Sequence, residues 1–326
     1  MAALDSPGTQ RTTDPGPDLV QARMHVCGPR EPAQGVVVRN ERCTRSSRSA
    51  GFVRHIEIDL GDSPLAGSFV PGQSFGVHAP GQDEQGRPHA MRLYSIASPS
   101  TGEDGQGRII ATTVKRLIDE RSDGPGLHLG VTSNYLCDLR PGDVVRLSGP
   151  NGKRFVLPAR PQEHDYVFFA TGTGIAPFRG MVLDLLRQAP SSRIALVMGA
   201  PYETDLLYDD LFTDLAARHE GFAYLPTISR HAHADASPAC YVQDRLERNA
   251  ELLGSILRSD RGLVYVCGLL GMELGIAQGL ARTLESDWLG RYLTIDPAVA
   301  DDPAGWTRKM IHRQVKPTRR MFVEVY

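Results

Sequence analysis

The chain has little that would tie it to a metal, a membrane or an oxidising compartment. Its five cysteines, at positions 27, 43, 137, 240 and 267, are odd in number and scattered. That distribution argues against a disulfide framework and fits a reducing compartment. No C-x-x-C or H-E-x-x-H motif occurs, so no zinc or iron–sulfur site is expected. The longest apolar runs, such as 166–170 and 263–270, fall far short of the roughly 20 residues a membrane span needs. The opening MAALDSPGTQ lacks the cationic patch and apolar core of a signal peptide. An excess of one charge is missing too: 36 Lys and Arg against 38 Asp and Glu leave a net charge of −2, which argues against nucleic acid as a partner. What is present is ordinary. With 326 residues, 41% hydrophobic and 23% charged, the composition is that of a globular, cytoplasmic protein of about two domains.

Residues 1–26 are rich in Pro, Gly, Thr and Asp; they bury too little apolar surface to offset ordering and are read as a flexible extension. From about 35 to 157 the hydrophobic period is two, in six runs that start near Gly35, Phe52, Gln73, Met91, Ile109 and Asp143. Gly, Pro and Asp turns separate them, which predicts a small antiparallel barrel. One helix is expected at about 132–139, capped by Thr132 or Ser133. After the Pro-bounded linker that begins at Leu157, short apolar strands at 166–170, 194–199, 223–228 and 263–267 alternate with helix-length segments. Those segments, at 175–188, 205–218, 241–258 and 271–285, complete the pattern of βαβ units around a parallel sheet. A last strand is expected at 321–325. The division is therefore an extension to 26, an all-β domain over 27–158 and an α/β domain over 159–326.

The first turn of the second half reads TGTGIAP from Thr171 to Pro177. Its glycines and hydroxyls let backbone N–H groups approach a pyrophosphate at a helix N-terminus, although the third glycine of the dinucleotide fingerprint is absent. It is either a nucleotide site or a tight βα turn. Ser229 and Arg230, just past the third strand, and Tyr241 to Asp244 suit a ribose phosphate, or else a solvated loop end. In the first half, Arg92 and Tyr94 share one face of a strand, with Leu93 and Ser95 on the other. Either Tyr94 packs in the core, or it lies flat on a ring while Arg92 meets a phosphate. Gly130, Val131, Thr132 and Ser133 enter the predicted helix and form a second anion-binding turn. One phosphate turn in each half points to two nucleotides facing each other.

These blocks, in this order, resemble the plant-type ferredoxin–NADP⁺ reductases: RLYSIAS from Arg92, VKRLI from Val114, GVTSNYLCDLRPGD from Gly130, GPNGK from Gly149, TGTGIAPFRG from Thr171, VCGLLGME from Val266 and the terminal VEVY from Val323. The resemblance spans about 25–326, is that of a bacterial member, and implies a six-stranded antiparallel Greek-key FAD-binding barrel followed by a parallel-sheet NADP-binding α/β domain. It implies that Arg92, Leu93, Tyr94 and Ser95 bind FAD, with Tyr94 stacked on the flavin ring and Ser95 at N5. Gly130, Val131, Thr132 and Ser133 would hold the FAD pyrophosphate. Thr173, Gly174, Gly268 and Leu269 would receive the pyrophosphate and nicotinamide end of NADP(H). Ser229, Arg230, Tyr241 and Gln243 would surround its 2′-phosphate and adenine. Ser95, Cys267, Glu324 and Tyr326 would serve catalysis, with Tyr326 covering the other flavin face.

Against the family pattern, a lysine two positions before Tyr241 is Ala239 and a lysine after Cys-Gly-Leu is Leu270. The aromatic expected near the FAD adenine is replaced by Asp119 and Glu120, the usual tryptophan before the terminal motif is Phe322, and a segment of about 290–303 looks inserted before a last helix. The resemblance implies an FAD-dependent reductase that passes hydride between NADP(H) and flavin and single electrons to ferredoxin or flavodoxin. The alternatives are the reductase component of a multicomponent oxygenase of the benzoyl-CoA epoxidase type and a non-catalytic nucleotide-binding subunit. An acidic carrier calls for a basic face, for which Lys115, Arg116, Lys153, Arg154, Arg308 and Lys309 are candidates. A monomer is expected.

Overall fold

A computed structural model describes residues 15–46, 52–121, 124–232 and 237–326. The period-two runs of the first half become β1 (Ala33–Arg42), β2 (Val53–Asp59), β3 (Ser74–His78), β4 (Arg92–Ser95) and β5 (Ile109–Lys115). A small hairpin, β6 (Ile118–Glu120) and β7 (Leu127–Leu129), leads into α1 (Val131–Asp138) and then β8 (Val144–Asn151). Six strands form one antiparallel sheet in the order β4-β3-β8-β1-β2-β5. Its edges meet: Ile96 bridges Thr112, and the Ala97 N–H donates to Ala111 O at 2.8 Å. β8 returns to lie between β1 and β3, a Greek-key path. The barrel interior is filled from alternate positions, by Val37, Ile56, Ile58, Phe75, Val77 and Leu147 among others.

Three details differ from expectation. The hairpin β6–β7 stands outside the core with Leu127 and Leu129 exposed, so burial leaves no period-two signal in it. Helix α1 begins at Val131 with Gly130 as its cap and no side-chain cap. Ser133 is not free for capping, because its hydroxyl donates to Gly130 O and accepts from the Leu117 N–H. The extension expected to run loose to residue 26 is bound from Asp18 onward. The Val20 N–H donates to Leu157 O, Ala159 N–H to Asp18 O, His25 N–H to Pro150 O and Cys27 N–H to Gly149 O. Backbone pairing there supplies what apolar burial could not; residues 1–14 lie outside the described residues.

The second half runs β9 (Asp165–Thr171), α2 (Ile175–Gln188), β10 (Ile194–Ala200), α3 (Asp209–Arg218), β11 (Phe222–Ile228), α4 (Arg245–Arg248), α5 (Ala250–Leu257), β12 (Gly262–Gly268), α6 (Met272–Thr283), α7 (Ser286–Leu289), β13 (Leu293–Ile295), β14 (Val315–Pro317) and β15 (Met321–Val325). Five strands make a parallel sheet in the order β11-β10-β9-β12-β15. The helix expected over 241–258 is broken at Asn249, whose backbone leaves the helical region. The last helix expected after the inserted segment is absent among the described residues. Asp296 and Asp302 cap separate single turns that open on Pro297 and Pro303, and each turn ends there.

Both faces of this sheet are covered, so its strands read as continuous apolar runs. Side chains alternate between two layers. Tyr166 and Phe168 of β9 and Leu263, Tyr265 and Cys267 of β12 enter one layer with α2 and α3. Val167, Phe169, Val264 and Val266 enter the other, with α5 and α6. The first layer also receives Val53 and Phe155 from the barrel half, which marks it as the face on which the barrel packs.

The junction is polar around that apolar centre. On α2, Arg179 donates to Ala97 O at 3.0 Å and forms a two-pronged ion pair with Glu103 at 2.5 and 2.9 Å. One residue on, Gly180 touches the barrel so closely that a Cβ would run into the Ser98 carbonyl. Tyr208 reaches across from the second half, with its hydroxyl 2.9 Å from His55 Nδ1 and 2.6 Å from Thr113 Oγ1. His55, Glu57 and Glu103 lie close enough to resemble a metal cluster, but Arg39 pairs with Glu57 and Arg179 with Glu103. The Arg179–Glu103 pair is largely buried, so Arg179→Met should strand a carboxylate and lower unfolding free energy by about 3 kcal/mol or more. Urea unfolding measures this, and a variant as stable as the parent would contradict it.

Candidate functional site

Most of the expected site residues take their position from a strand end. β4 is four residues long and stops at Ser95, where the barrel closes. Ser95 pairs in register with Ser74, and its carbonyl accepts from Thr112 Oγ1 at 2.8 Å. Tyr94 is half-buried against the barrel core. Burial, reinforced by the neighbouring Cys137 thiol, pushes its phenol up to about 12; it is a neutral, flat platform. Arg92 and Leu93 are exposed beside it.

At the start of α1, the Asn134 N–H bonds back to Gly130 O, which leaves the N–H groups of Val131, Thr132 and Ser133 as the open helix end. Gly130 is needed there because a Cβ would crowd Ser133 Oγ and Leu117 Cβ. An uncapped helix end, a cation and a ring platform form a donor set suited to a pyrophosphate-linked flavin. The site accordingly fits FAD.

The second cradle is built from β9, β12 and β15. Gly172 adopts φ +55° and opens the turn, and Gly174 packs where a Cβ would strike the Cys267 carbonyl. Gly268, at φ +147°, likewise leaves no room for a side chain beside Thr171. The two loops are then tied directly: the Leu269 N–H donates to Thr171 Oγ1 at 2.9 Å. Thr171, the first hydroxyl of the turn read from the sequence, thus serves to tie the two loops together.

β12 and β15 are in parallel register with Cys267 opposite Glu324. Phe322 packs in the barrel-side layer, so period two puts Glu324 on that same side, with Cys267. Cys267 is 1% exposed; burial, with Glu324 near, pushes its thiol well above the ordinary range. It packs as a small buried group in the barrel-side layer. Glu324 stays open to solvent, yet partial loss of water holds its carboxyl above the usual carboxylate range. Tyr326 follows, 53% exposed, with its hydroxyl 2.7 Å from Thr173 Oγ1. Thr173, Gly174, Cys267, Gly268, Leu269, Glu324 and Tyr326 are thus brought together.

Ser229, Arg230 and Tyr241 form a separate group at the end of β11. The Cys240 N–H donates to Ile228 O and so places Tyr241 beside Ser229, while Tyr241 itself is 63% exposed. Gln243 packs against Gly275 of α6, and Ala239 presents only its carbonyl, held by Arg248. Of the basic residues, Lys115, Lys153, Arg154, Arg308 and Lys309 are exposed. Arg116 is withdrawn, bound to Asp138 and Asn134 over the Phe52 ring.

An antiparallel barrel with one anion-binding turn, joined to a parallel sheet with another, defines a two-nucleotide oxidoreductase. Residues 168–278 match the oxidoreductase NAD-binding domain family. The chain is 31% identical to the ferredoxin–NADP reductase of Synechocystis sp., over 99% of this chain and 75% of that one. It is 32% identical to the Spirulina sp. enzyme, over 81% of this chain and 92% of that one. To the Arabidopsis thaliana leaf isozyme 1 it is 35% identical, over 80% and 73%. The chain belongs to the ferredoxin–NADP reductase family. The solved ferredoxin–NADP⁺ reductase of Plasmodium falciparum shares its fold, with a TM-score of 0.67 at 20% identity over 93% of this chain and 99% of that one.

The raised Glu324 pKa carries a sign. The native state binds a proton more tightly than the unfolded chain, so this carboxyl costs stability as pH rises above its ordinary pKa of about 4.3. Glu324→Gln should therefore melt higher than the parent at pH 7, and the gap should close near pH 4. Equal melting temperatures at pH 7 would contradict the assignment.

Proposed function

We propose that this protein is an FAD-dependent reductase that moves reducing equivalents between NADP(H) and ferredoxin, with flavodoxin as an alternative carrier. The observation that carries the reading is the convergence of Thr173, Cys267, Glu324 and Tyr326 on the sheet edge that faces the barrel. In it, residues 27–158 hold FAD and 159–326 hold NADP(H), in a cytoplasmic monomer. Bound FAD would supply a centre that accepts hydride and releases single electrons.

The chain's own residues do the positioning. Arg92 and the open N–H groups of Val131, Thr132 and Ser133 neutralise the FAD pyrophosphate, and Leu93 and Tyr94 bed its ring. The Thr171–Gly174 turn and Gly268–Leu269 receive the pyrophosphate and nicotinamide. Ser229 and Arg230 meet the 2′-phosphate, while Tyr241 lies on the adenine. Gln243 supports that end from beneath. Cys267 fills the wall of the nicotinamide pocket and excludes water. Ser95 Oγ and the Glu324 carboxyl carry the proton, and a carboxyl held above its ordinary pKa is better matched to that task near neutral pH. With Ala239 and Leu270 uncharged, preference for NADP over NAD rests on Ser229 and Arg230.

Arg308 stands beside Gly271 at the rim of the site, and with Lys309 and Lys115 it offers an acidic carrier a basic edge. The purified protein should carry a visible flavin band that NADPH bleaches; a colourless protein would favour the non-catalytic alternative. Ferredoxin reduction should slow as salt rises and fall by about tenfold or more in Arg308→Glu/Lys309→Glu, with NADPH oxidation by a small uncharged acceptor unchanged. Salt-insensitive coupling would remove this edge from the docking surface.

A further inference from the structure

The corner that receives the 2′-phosphate in the reading above is short of available charge. Ala239, two positions before Tyr241, brings no cation. Arg245 is committed to Thr227 Oγ1 and the Pro226 carbonyl, and Arg248 to the Pro238 and Ala239 carbonyls. Of these arginines that leaves Arg230, which is exposed. One guanidinium and one hydroxyl leave part of the charge of a dianionic phosphate unmatched.

The next residue in the chain is His231, and the fold brings it to the same edge. β10 and β11 run in parallel register up to Ala200 opposite Ile228. Main-chain pairing continues past the sheet: the Ser229 N–H donates to Ala200 O at 3.0 Å and the Arg230 N–H to Pro201 O at 3.1 Å. Tyr202 and His231 come next on the two sides. Their rings stack, with centroids 5.7 Å apart and planes 29° from parallel. The imidazole Nδ1 lies 2.6 Å from the Ala232 carbonyl oxygen. A carbonyl only accepts, so Nδ1 carries a hydrogen in either charge state. Nε2 is then an acceptor in the neutral ring and a donor only in the imidazolium. Toward a phosphate oxygen the neutral ring offers a lone pair, and the cation a charged N–H.

We propose that His231 is the second cation of the 2′-phosphate subsite: it takes up a proton as NADP(H) binds and donates from Nε2 to the phosphate. This rests on the reductase reading above and deepens its adenosine end, where selection for the phosphate becomes dependent on a titratable group. Tyr202 is a positioning residue whose ring fixes the imidazole plane. The charged and titratable groups around this edge are Arg230 on the same segment, Tyr202 and Glu203 on the loop after β10, and Tyr241 and Asp244 on the turn before α4. Asp244 is engaged, its carboxylate accepting from the Tyr241 N–H at 2.8 Å. In the empty site Arg230 opposes a second positive charge beside it. The incoming dianion reverses that balance, so protonation and phosphate binding favour each other. A dinucleotide without the 2′-phosphate gains nothing from the proton.

The test is calorimetric titration of the flavin-loaded protein with NADP⁺ and with 2′-phospho-AMP at pH 7.5, in two buffers of different ionisation enthalpy. A phosphate monoester loses its second proton at about pH 6, so the free ligand is already a dianion and a proton taken up belongs to the protein. The parent should take up a fraction of a proton with either ligand, and its affinity should fall as pH rises toward 8.5. His231→Phe keeps a ring against Tyr202 and removes the nitrogen. It should weaken both ligands by about three- to tenfold and abolish the uptake. His231→Lys, charged throughout, should bind at least as tightly as the parent, without uptake. The KM for NADH, which has no 2′-phosphate, should be the same in all three proteins, which also shows that the variants are folded. Unchanged affinity in His231→Phe, a parent that takes up no proton, a His231→Lys protein no tighter than His231→Phe, or an equal rise in the KM for NADH would overturn the role of His231 and leave the reductase reading intact. A parent that binds neither ligand would defeat the reductase reading itself.

Discussion

The contact between α2 and residues 97–103 sets the geometry on which the rest of the molecule depends. α2 begins at the turn that forms the second anion cradle, and residues 97–103 continue directly from Ser95 at the end of β4. Gly180 lets the helix press its backbone against the Ser98 carbonyl, and Arg179 fastens it to Ala97 O and Glu103. Each half builds its own glycine turn at a helix start, and the proposed hydride transfer needs the two within stacking distance. This helix, with its glycine contact and ion pair, holds that spacing together with the apolar packing of Val53 and Phe155 and the Tyr208 hydrogen bonds.

Within this frame, the alternation of a β-strand does the sorting. The strand carrying Leu263, Tyr265 and Cys267 toward the barrel is flanked by one that carries Phe322 and Glu324 in the same direction. Upstream positions fill the core and the last ones reach the open edge, so one period of two yields both a hydrophobic layer and a site. Glu324 shows what the arrangement costs. A carboxyl kept short of water is held above its ordinary pKa, which is poor for stability.

The polar residues that join the halves have a different character. Tyr208, His55, Thr113, Glu57 and Arg39 form a chain of hydrogen bonds and ion pairs across the junction. His55 draws the Glu57 carboxyl below the usual range, against the opposing effect of burial. Tyr208 is its one member from the second half, so the His55 and Thr113 bonds to that hydroxyl form only when the halves are docked. Arg116, a cation expected at the docking face, is committed to Asp138, Asn134 and the Phe52 ring instead, whereas Lys115, Lys153, Arg154, Lys309 and Arg308, the last 3.8 Å from Glu273, are exposed.

Local pattern by itself determined the two halves, all six barrel strands and all five parallel strands, because burial on one or both faces of a strand writes a period of two into the chain. It also marked the two glycine-bearing turns, since positive φ and close backbone approach admit few residues. Local pattern could not show that Asp18 to Cys27 is strapped down, that the segment after residue 290 lacks a helix, or that α1 is capped by Gly130 alone. Those outcomes rest on backbone pairing with distant segments and on which competing hydrogen bond a hydroxyl makes. Nor could it show that Thr173 meets Tyr326, 153 positions away, or that Arg179 finds Glu103. Contacts between residues far apart in the chain carry no local period; only the folded arrangement brings their partners within reach.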